Sequence, residues 1–222
     1  ETAWFLSAVL DTSKPVVLVS AMRPASSLTP DGPQNLLDAI AVAIHPGVVG
    51  VLAVAAGVVH SAKHVHKAFP YRVDAFTSAE AGPCGWVEEG QVRWAREIVA
   101  GGRGAYAELL HRLPAAKAWP WVEVICSGVG ANGLAVDALV QAGVKGLVVT
   151  ATGNGSLHHA LRAALLRAQQ QGVCVRVGTR CGQGHSLVGH AGDFAGASGL
   201  PPIKARIQLV LDLMSPNVAQ GE

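Results

Sequence analysis

The stretch "VLVSAMRPASSLTPDGPQNLLDAI", residues 17–40, runs from an apolar segment through a Pro- and Ser-rich loop into a helical pattern. The apolar run at 16–19 does not alternate with polar residues, as expected for a strand covered on both faces of a parallel sheet. Open α/β sheets place ligands in the crevice beyond the carboxyl ends of such strands. A loop this elaborate at that end reads as part of a site.

Outward from it, the pattern predicts strands over 16–19, 48–53, 122–126, 146–150 and 173–177, with a short extended piece over 92–94. Helices are predicted over 34–43, 133–141, 158–170 and 203–214. The opening "ETAWFLSAVL" reads as an amphipathic helix with Trp4, Phe5, Ala8 and Val9 apolar. Such alternation implies an α/β fold. Residues 95–121 break the rhythm with paired glycines, two prolines and scattered charges. They read as a linker with room for a short helix. The domain boundary falls there, between 1–94 and 122–222.

Composition narrows the function. Half of the 222 residues are apolar, 14% are charged, and mean hydropathy is +0.34, which excludes a disordered chain. Seventeen basic against fifteen acidic residues give +2 with no block of like charge, so no nucleic-acid partner is expected. Gly, Pro, His and Lys interrupt every apolar run before the roughly 18 residues of a membrane span. Cys84, Cys126, Cys174 and Cys181 lie far apart with no C-x-x-C, so reduced thiols are expected, with no zinc knot and no disulfide framework. The sequence assigns no compartment.

Three candidate sites compete with structural readings. "GVGANG", Gly128 to Gly133, is a G-x-G-x-x-G between a strand and a helix, the context of a dinucleotide fingerprint. The next strand, "GLVVTATGNGS", lacks the acidic residue that would hold a ribose, and a tight turn packing a helix onto a sheet explains the glycines. His60 and His64 are four apart and could share a helix face as metal ligands do. His66 points elsewhere, and the adjacent His158 and His159 diverge, so solvated or capping histidines are the preferred reading and no metal is expected. Lys63 and Lys67 lie in "VVHSAKHVHKAFPYRVDAF". Each is a surface charge with its stem along apolar neighbours, or a cation easing deprotonation of a nearby hydroxyl. Spacing alone leaves both open.

Six ordered segments resemble one family. "KPVVLVSAMRPASSLTPDGPQNLLDAI" is similar to the K-P-V-V-x-x-G-A-M-R-P and A-D-G-P-x-N-L segment of bacterial-type L-asparaginases and glutaminase-asparaginases. "ETAWFL" looks like the end of that family's H-G-T-D-T-x-E-E-T-A-x-F-L. "AKHVHKAFPYRVDAF", "AGPCGWVEEGQV", "TGNGSL" and "PPIKARIQLVL" resemble its later motifs in order. The resemblance implies the C-terminal part of a flavodoxin-like parallel-sheet domain, then a smaller Rossmann-like α/β domain. It implies hydrolysis of L-asparagine, with L-glutamine a further substrate, through a threonyl acyl-enzyme and without a cofactor. It also implies a homo-oligomer, a dimer of dimers.

By the same resemblance, Lys67 is the catalytic cation and the Ala21 backbone carbonyl faces the substrate amide. Ser156 stands where the family has a substrate-binding Asn. Met22, Arg23, Pro24, Asp31, Gly32, Asn35 and Asn154 belong to the supporting loops. The nucleophilic threonine is expected upstream of this sequence, which reads as beginning just after H-G-T-D-T. The first strands of the N-terminal sheet are expected there too, leaving the strand at 16–19 with an uncovered apolar edge. The sequence departs from the family at three places. Residues 181–200 contain no Glu, leaving Asp193 as their one acid and Gln183 as a neutral substitute. "LAVAAG" replaces the usual L-N-D, and Lys63 and His64 replace an Arg-Asp pair. A non-catalytic oligomerisation or regulatory module on the same fold is the alternative, as is a nucleotide-binding domain using Gly128 to Gly133.

Overall fold

The computed structural model describes residues 1–96, 104–113, 118–184, 186–187 and 192–215. Two compact units divide the chain, Thr2–Ala107 and Glu108–Glu222.

The first unit runs α1 (Thr2–Val9), β1 (Pro15–Val19), α2 (Gly32–Ile44), β2 (Gly50–Ala55), β3 (Val58–Ser61), β4 (His66–Lys67), β5 (Phe76–Thr77), β6 (Gly85–Glu88) and β7 (Gln91–Trp94). Among the described residues, five strands form one sheet in the order β1-β2-β3-β6-β7, while β4 and β5 pair separately. β1 lies parallel to β2, in register from Pro15 opposite Gly50 to Val19 opposite Val54. Alternate strand residues point to opposite faces. Val17, Leu52, Val54 and Val59 therefore pack with Ala39 and Val42 of α2. Val16, Leu18, Val51 and Ala53 pack with Ala3 and Leu6 of α1.

The sheet is parallel only between β1 and β2; the remaining pairs are antiparallel. Two hairpins turn the chain back. Ala56 and Gly57 connect β2 to β3 with φ of 50° and 73°, and Glu89 and Gly90 connect β6 to β7 with φ of 49° and 73°. Positive φ at both central residues is the twist that two-residue hairpins favour. Of the apolar residues expected in α1, Ala8 and Val9 are buried, together with Ala3, while Trp4 and Phe5 are partly exposed.

The second unit runs β8 (Val122–Cys126), α3 (Leu134–Gln141), β9 (Gly146–Ala151), α4 (His159–Gln170), β10 (Cys174–Thr179), β11 (Ala195–Gly196) and α5 (Pro202–Met214). Its described strands form a four-stranded, wholly parallel sheet in the order β11-β10-β9-β8. Leu147, Val148, Val149 and Ala151 of the central β9 are fully buried, which explains their uninterrupted apolar run. The K-A-R segment at the start of α5 is scaffold. Lys204 is buried, which pushes its ammonium down to about 8, and Arg206 Nε donates to the Val122 carbonyl at 2.8 Å.

Part of the segment read as a linker is packed. Gly104 and Tyr106 donate their N–H groups to the Leu10 and Ala8 carbonyls. A short 3₁₀ helix covers Ala107–Leu109, and Tyr106 and Leu109 are buried. Residues 97–103 and 114–117 of that segment lie outside the described residues.

Gly133, the last glycine of the fingerprint, has a packing cause, though its partner is a helix. A Cβ on Gly133 would stand 2.6 Å from Ala164 Cβ, so this glycine lets α3 start against α4. Gly133→Ala should therefore destabilise the second unit by about 1–3 kcal/mol through overpacking. Combined with Ala164→Gly, the loss in urea unfolding should be smaller than the sum of the two single losses. Additive losses would show that the contact is not what selects glycine.

Candidate amide-binding loop

β1 and β2 are parallel neighbours, so their carboxyl ends lie side by side, and α2 is the crossover that joins them. Asp31 precedes the first turn of α2, but its side chain does not cap its own helix. The carboxylate reaches back across the loop and accepts from the Met22 N–H at 2.9 Å and the Arg23 N–H at 2.8 Å. The Met22 bond is the main reason that the Asp31 carboxyl titrates below its usual value; partial burial opposes it, and the Arg23 bond adds to it. Arg23 closes the loop from the other side. Its Nη1 donates to the Thr29 carbonyl at 3.1 Å and to Thr29 Oγ1 at 2.7 Å.

Asn35, in the first turn of α2, is only 2% exposed. Its Nδ2 donates to the Ser20 carbonyl at 2.9 Å and to Asp31 Oδ2 at 3.2 Å. Its Oδ1 accepts from the Ala56 N–H at 2.9 Å. One side chain thus ties the end of β1, the loop and the residue after β2. Ala21 sits between two anchored neighbours, with Ser20 held through its carbonyl and Met22 through its N–H. Gly32 lies against it, since a Cβ there would be 3.4 Å from Ala21 Cβ. Pro24 is exposed, and its carbonyl accepts from the Ser27 N–H within the loop.

The other predicted residues lie elsewhere. Lys67 is exposed on β4, opposite Phe76 of β5. Ser156 and Asn154 belong to the second unit. Ser156 is exposed in a turn stapled by Thr152, whose Oγ1 donates to the Ser156 carbonyl at 3.0 Å. Asn154 Oδ1 accepts from the Leu187 N–H at 2.7 Å. Asp193 pairs with Arg162. Gln183 is exposed, while residues 185 and 188–191 lie outside the described residues.

The histidines differ from their expected arrangement. His60 and His64 do not share a helix: His60 is in β3 and His64 in the turn after it. His60 is 3% exposed, with Nδ1 2.8 Å from Ser78 Oγ and a buried Nε2 that has no hydrogen-bond partner among the described residues. Burial, reinforced by His66, pushes its imidazole down to about 4. His158 and His159 do not diverge; their rings stack with centroids 4.3 Å apart, and His158 Nδ1 accepts from the Ala160 N–H at the start of α4. No group of three or more His, Cys, Asp or Glu among the described residues could hold a metal ion. No described helix is long and apolar enough to cross a membrane.

Comparison with known proteins gives this loop its context. Residues 1–100 match the family model "Asparaginase, N-terminal", and residues 121–219 match "Glutaminase/Asparaginase C-terminal domain". A glutaminase-asparaginase of Acinetobacter glutaminasificans is 32% identical over 99% of this chain and 68% of its own length. The chain belongs to the asparaginase family. L-asparaginase 2 of Bacillus subtilis is 34% identical over 99% of the chain, which spans 59% of that relative's length. The crystal structure of a probable cytoplasmic L-asparaginase from Campylobacter jejuni aligns with a TM-score of 0.87 at 32% identity, over 96% of this chain and 71% of that one.

Within this chain, the D-G-P-x-N segment is a clamp on the loop after β1. The residues that receive it, Ser20 and Ala56, act through backbone groups and so carry no side-chain signal that sequence reasoning could use. The buried His60–Ser78 pair was equally hidden, because its partners are eighteen residues apart.

Two outcomes follow from these bonds. Asn35→Ala leaves the Ser20 carbonyl and the Ala56 N–H without their partner, and should lower stability in urea unfolding by about 2–4 kcal/mol. A loss under about 0.5 kcal/mol would contradict the clamp. His60 binds a proton more weakly folded than unfolded, so the unfolded chain takes up that proton first as pH falls. Stability should drop between pH 6.5, the ordinary imidazole value, and about 4, and His60→Gln should flatten that part of the profile. An unchanged slope in the variant would assign the acid sensitivity to other groups.

Proposed function

We propose that this chain forms part of an amidohydrolase that converts L-asparagine, and also L-glutamine, to the acid and ammonia. The observation carrying this reading is the clamped loop after β1, in a chain whose relatives are named L-asparaginases and glutaminase-asparaginases. In the proposed reaction a threonine hydroxyl attacks the side-chain amide carbon. The tetrahedral oxyanion collapses, the amide nitrogen leaves as ammonia after gaining a proton, and water then hydrolyses the threonyl ester. The attacking threonine belongs to an H-G-T-D-T segment that these 222 residues do not contain.

In this reading Lys67 is the cation that eases loss of the proton from a threonine–water pair, and Ala21 offers its carbonyl to the substrate amide N–H. Ser156, contributed by another copy of the chain, would hold the substrate's amino group. The dimer of dimers that this requires is part of the same proposal. β1 stands at one edge of its sheet with Val19 40% exposed, a feature that suits further strands carried by the nucleophile-bearing segment.

Ammonia release tests the reading. Residues 1–222 alone should release none from asparagine. Protein that also carries the upstream H-G-T-D-T segment should turn asparagine over, and Lys67→Met in that protein should lower kcat by about a hundredfold or more. Turnover by residues 1–222 alone would place the nucleophile inside them. Inactivity of the longer protein toward both amides would favour a non-catalytic module, and full activity of the Lys67 variant would remove that residue from the mechanism.

A further inference from the structure

We infer that Asp31 and Asn35 are positioning residues for the amide substrate, acting through the backbone of residues 20–23. The inference rests on the amide hydrolysis proposed above. Its own basis is the geometry around Ala21.

A carbonyl that must meet a substrate N–H has to be held in place by the protein, because a loop that reorients on binding loses affinity to ordering. The loop of residues 20–31 is rich in Pro and Ser and largely exposed, and most of it contributes nothing to the core. Its order near Ala21 comes from two side chains outside its reactive part. Asp31 fixes the N–H groups of Met22 and Arg23 from the C-terminal side, and Asn35 fixes the Ser20 carbonyl from the N-terminal side. The Asn35 Nδ2 bond to Asp31 Oδ2 links the two anchors, so neither carboxylate nor amide can swing without disturbing the other.

The anchoring is also tied to the neighbouring strand. Asn35 Oδ1 holds the N–H of Ala56, a non-glycine residue at φ 50° in the hairpin after β2. Such a backbone conformation persists only where surrounding structure enforces it. The same amide that positions Ser20 therefore contributes to holding this turn. Asp31 suits its task electrically as well. Its carboxyl is held below the ordinary value because the N–H groups it grips favour its charged form, and charge-assisted bonds of this kind are the stronger ones.

The prediction separates positioning from mere stability. Asp31→Asn preserves shape but removes the charge and replaces one of the two acceptor oxygens with an NH2 donor, so the Met22 and Arg23 N–H groups and Asn35 Nδ2 can no longer all be satisfied. In the full-length protein it should raise KM for asparagine about tenfold while kcat stays within about threefold, because the loop contacts substrate and transition state alike. Thermal stability should change little. A purely structural role would lower the melting temperature and the active fraction, hence apparent kcat, and leave KM alone. Thr29→Val, at an exposed hydroxyl, removes one of the two bonds closing the loop and should raise KM about threefold. It supplies the test should Asp31→Asn fail to fold. Unchanged KM in the folded variants of an active enzyme overturns this inference alone. A wild-type full-length protein that releases ammonia from neither amide overturns the functional reading, and this inference with it.

Discussion

The side-chain amide of Asn35 is almost sealed from solvent, and both of its N–H bonds and its oxygen are taken by partners on three different parts of the chain. Its placement follows from the topology. Two parallel strands need a crossover, and the helix that provides it must begin near the carboxyl end of the first strand. A residue in that helix's first turn is close to the ends of both strands at once. Asn35 occupies this position, and its short, planar, doubly donating side chain can satisfy a carbonyl on one strand end and a carboxylate in the loop while accepting from the other strand end. Asp31, just before the helix, uses its carboxylate on the loop instead of on its own helix N-terminus. The loop is thus built from the same residues that start the crossover.

This division between chemistry and scaffold runs through the rest of the chain. In the motif of α5, Arg206 holds the helix against β8, and burial lowers the Lys204 ammonium to about 8. Gly133, at the end of the glycine-rich turn before α3, is selected by its contact with Ala164. His60 and Ser78 form a buried pair, and desolvation lowers the imidazole to about 4, which costs the fold stability as pH falls. The conspicuous sequence features thus include residues with packing roles, and an inconspicuous pair, an Asp and an Asn four residues apart, organises the candidate site.

Legibility in the sequence depended on the kind of signal each element carried. The parallel strands were readable because they are apolar on both faces; β8 spans Val122–Cys126 as the pattern implied, and β9 extends its predicted run by one residue. The hairpins were not, because Ala56–Gly57 and Glu89–Gly90 lack the Asn-Gly or Asp-Gly pair that announces such turns. Missing them hid β3 and β6 and turned His60, a strand residue, into a helix candidate. The buried turn around Tyr106 was masked by the Gly- and Pro-rich composition around it, since its anchors are backbone carbonyls of Ala8 and Leu10 almost a hundred residues earlier. For the site, the motif around Met22, Asp31 and Asn35 was recognisable as a family segment, but its purpose was not. What the Asp and Asn side chains do is defined by backbone partners at Ser20, Met22, Arg23 and Ala56, which no pattern of side chains encodes.

The account's central claim is that the backbone at Ala21, fixed by Asp31 and Asn35, is one wall of an amide pocket. A crystal structure of the full-length protein, with its attacking threonine replaced by alanine and L-asparagine bound, tests this most directly. The account predicts the substrate's side-chain amide N–H within hydrogen-bond distance of the Ala21 carbonyl, with the Asp31 bonds to the Met22 and Arg23 N–H groups intact. Asparagine bound without touching residues 20–23, or bound there with the Asp31 carboxylate turned away from the loop, would contradict it.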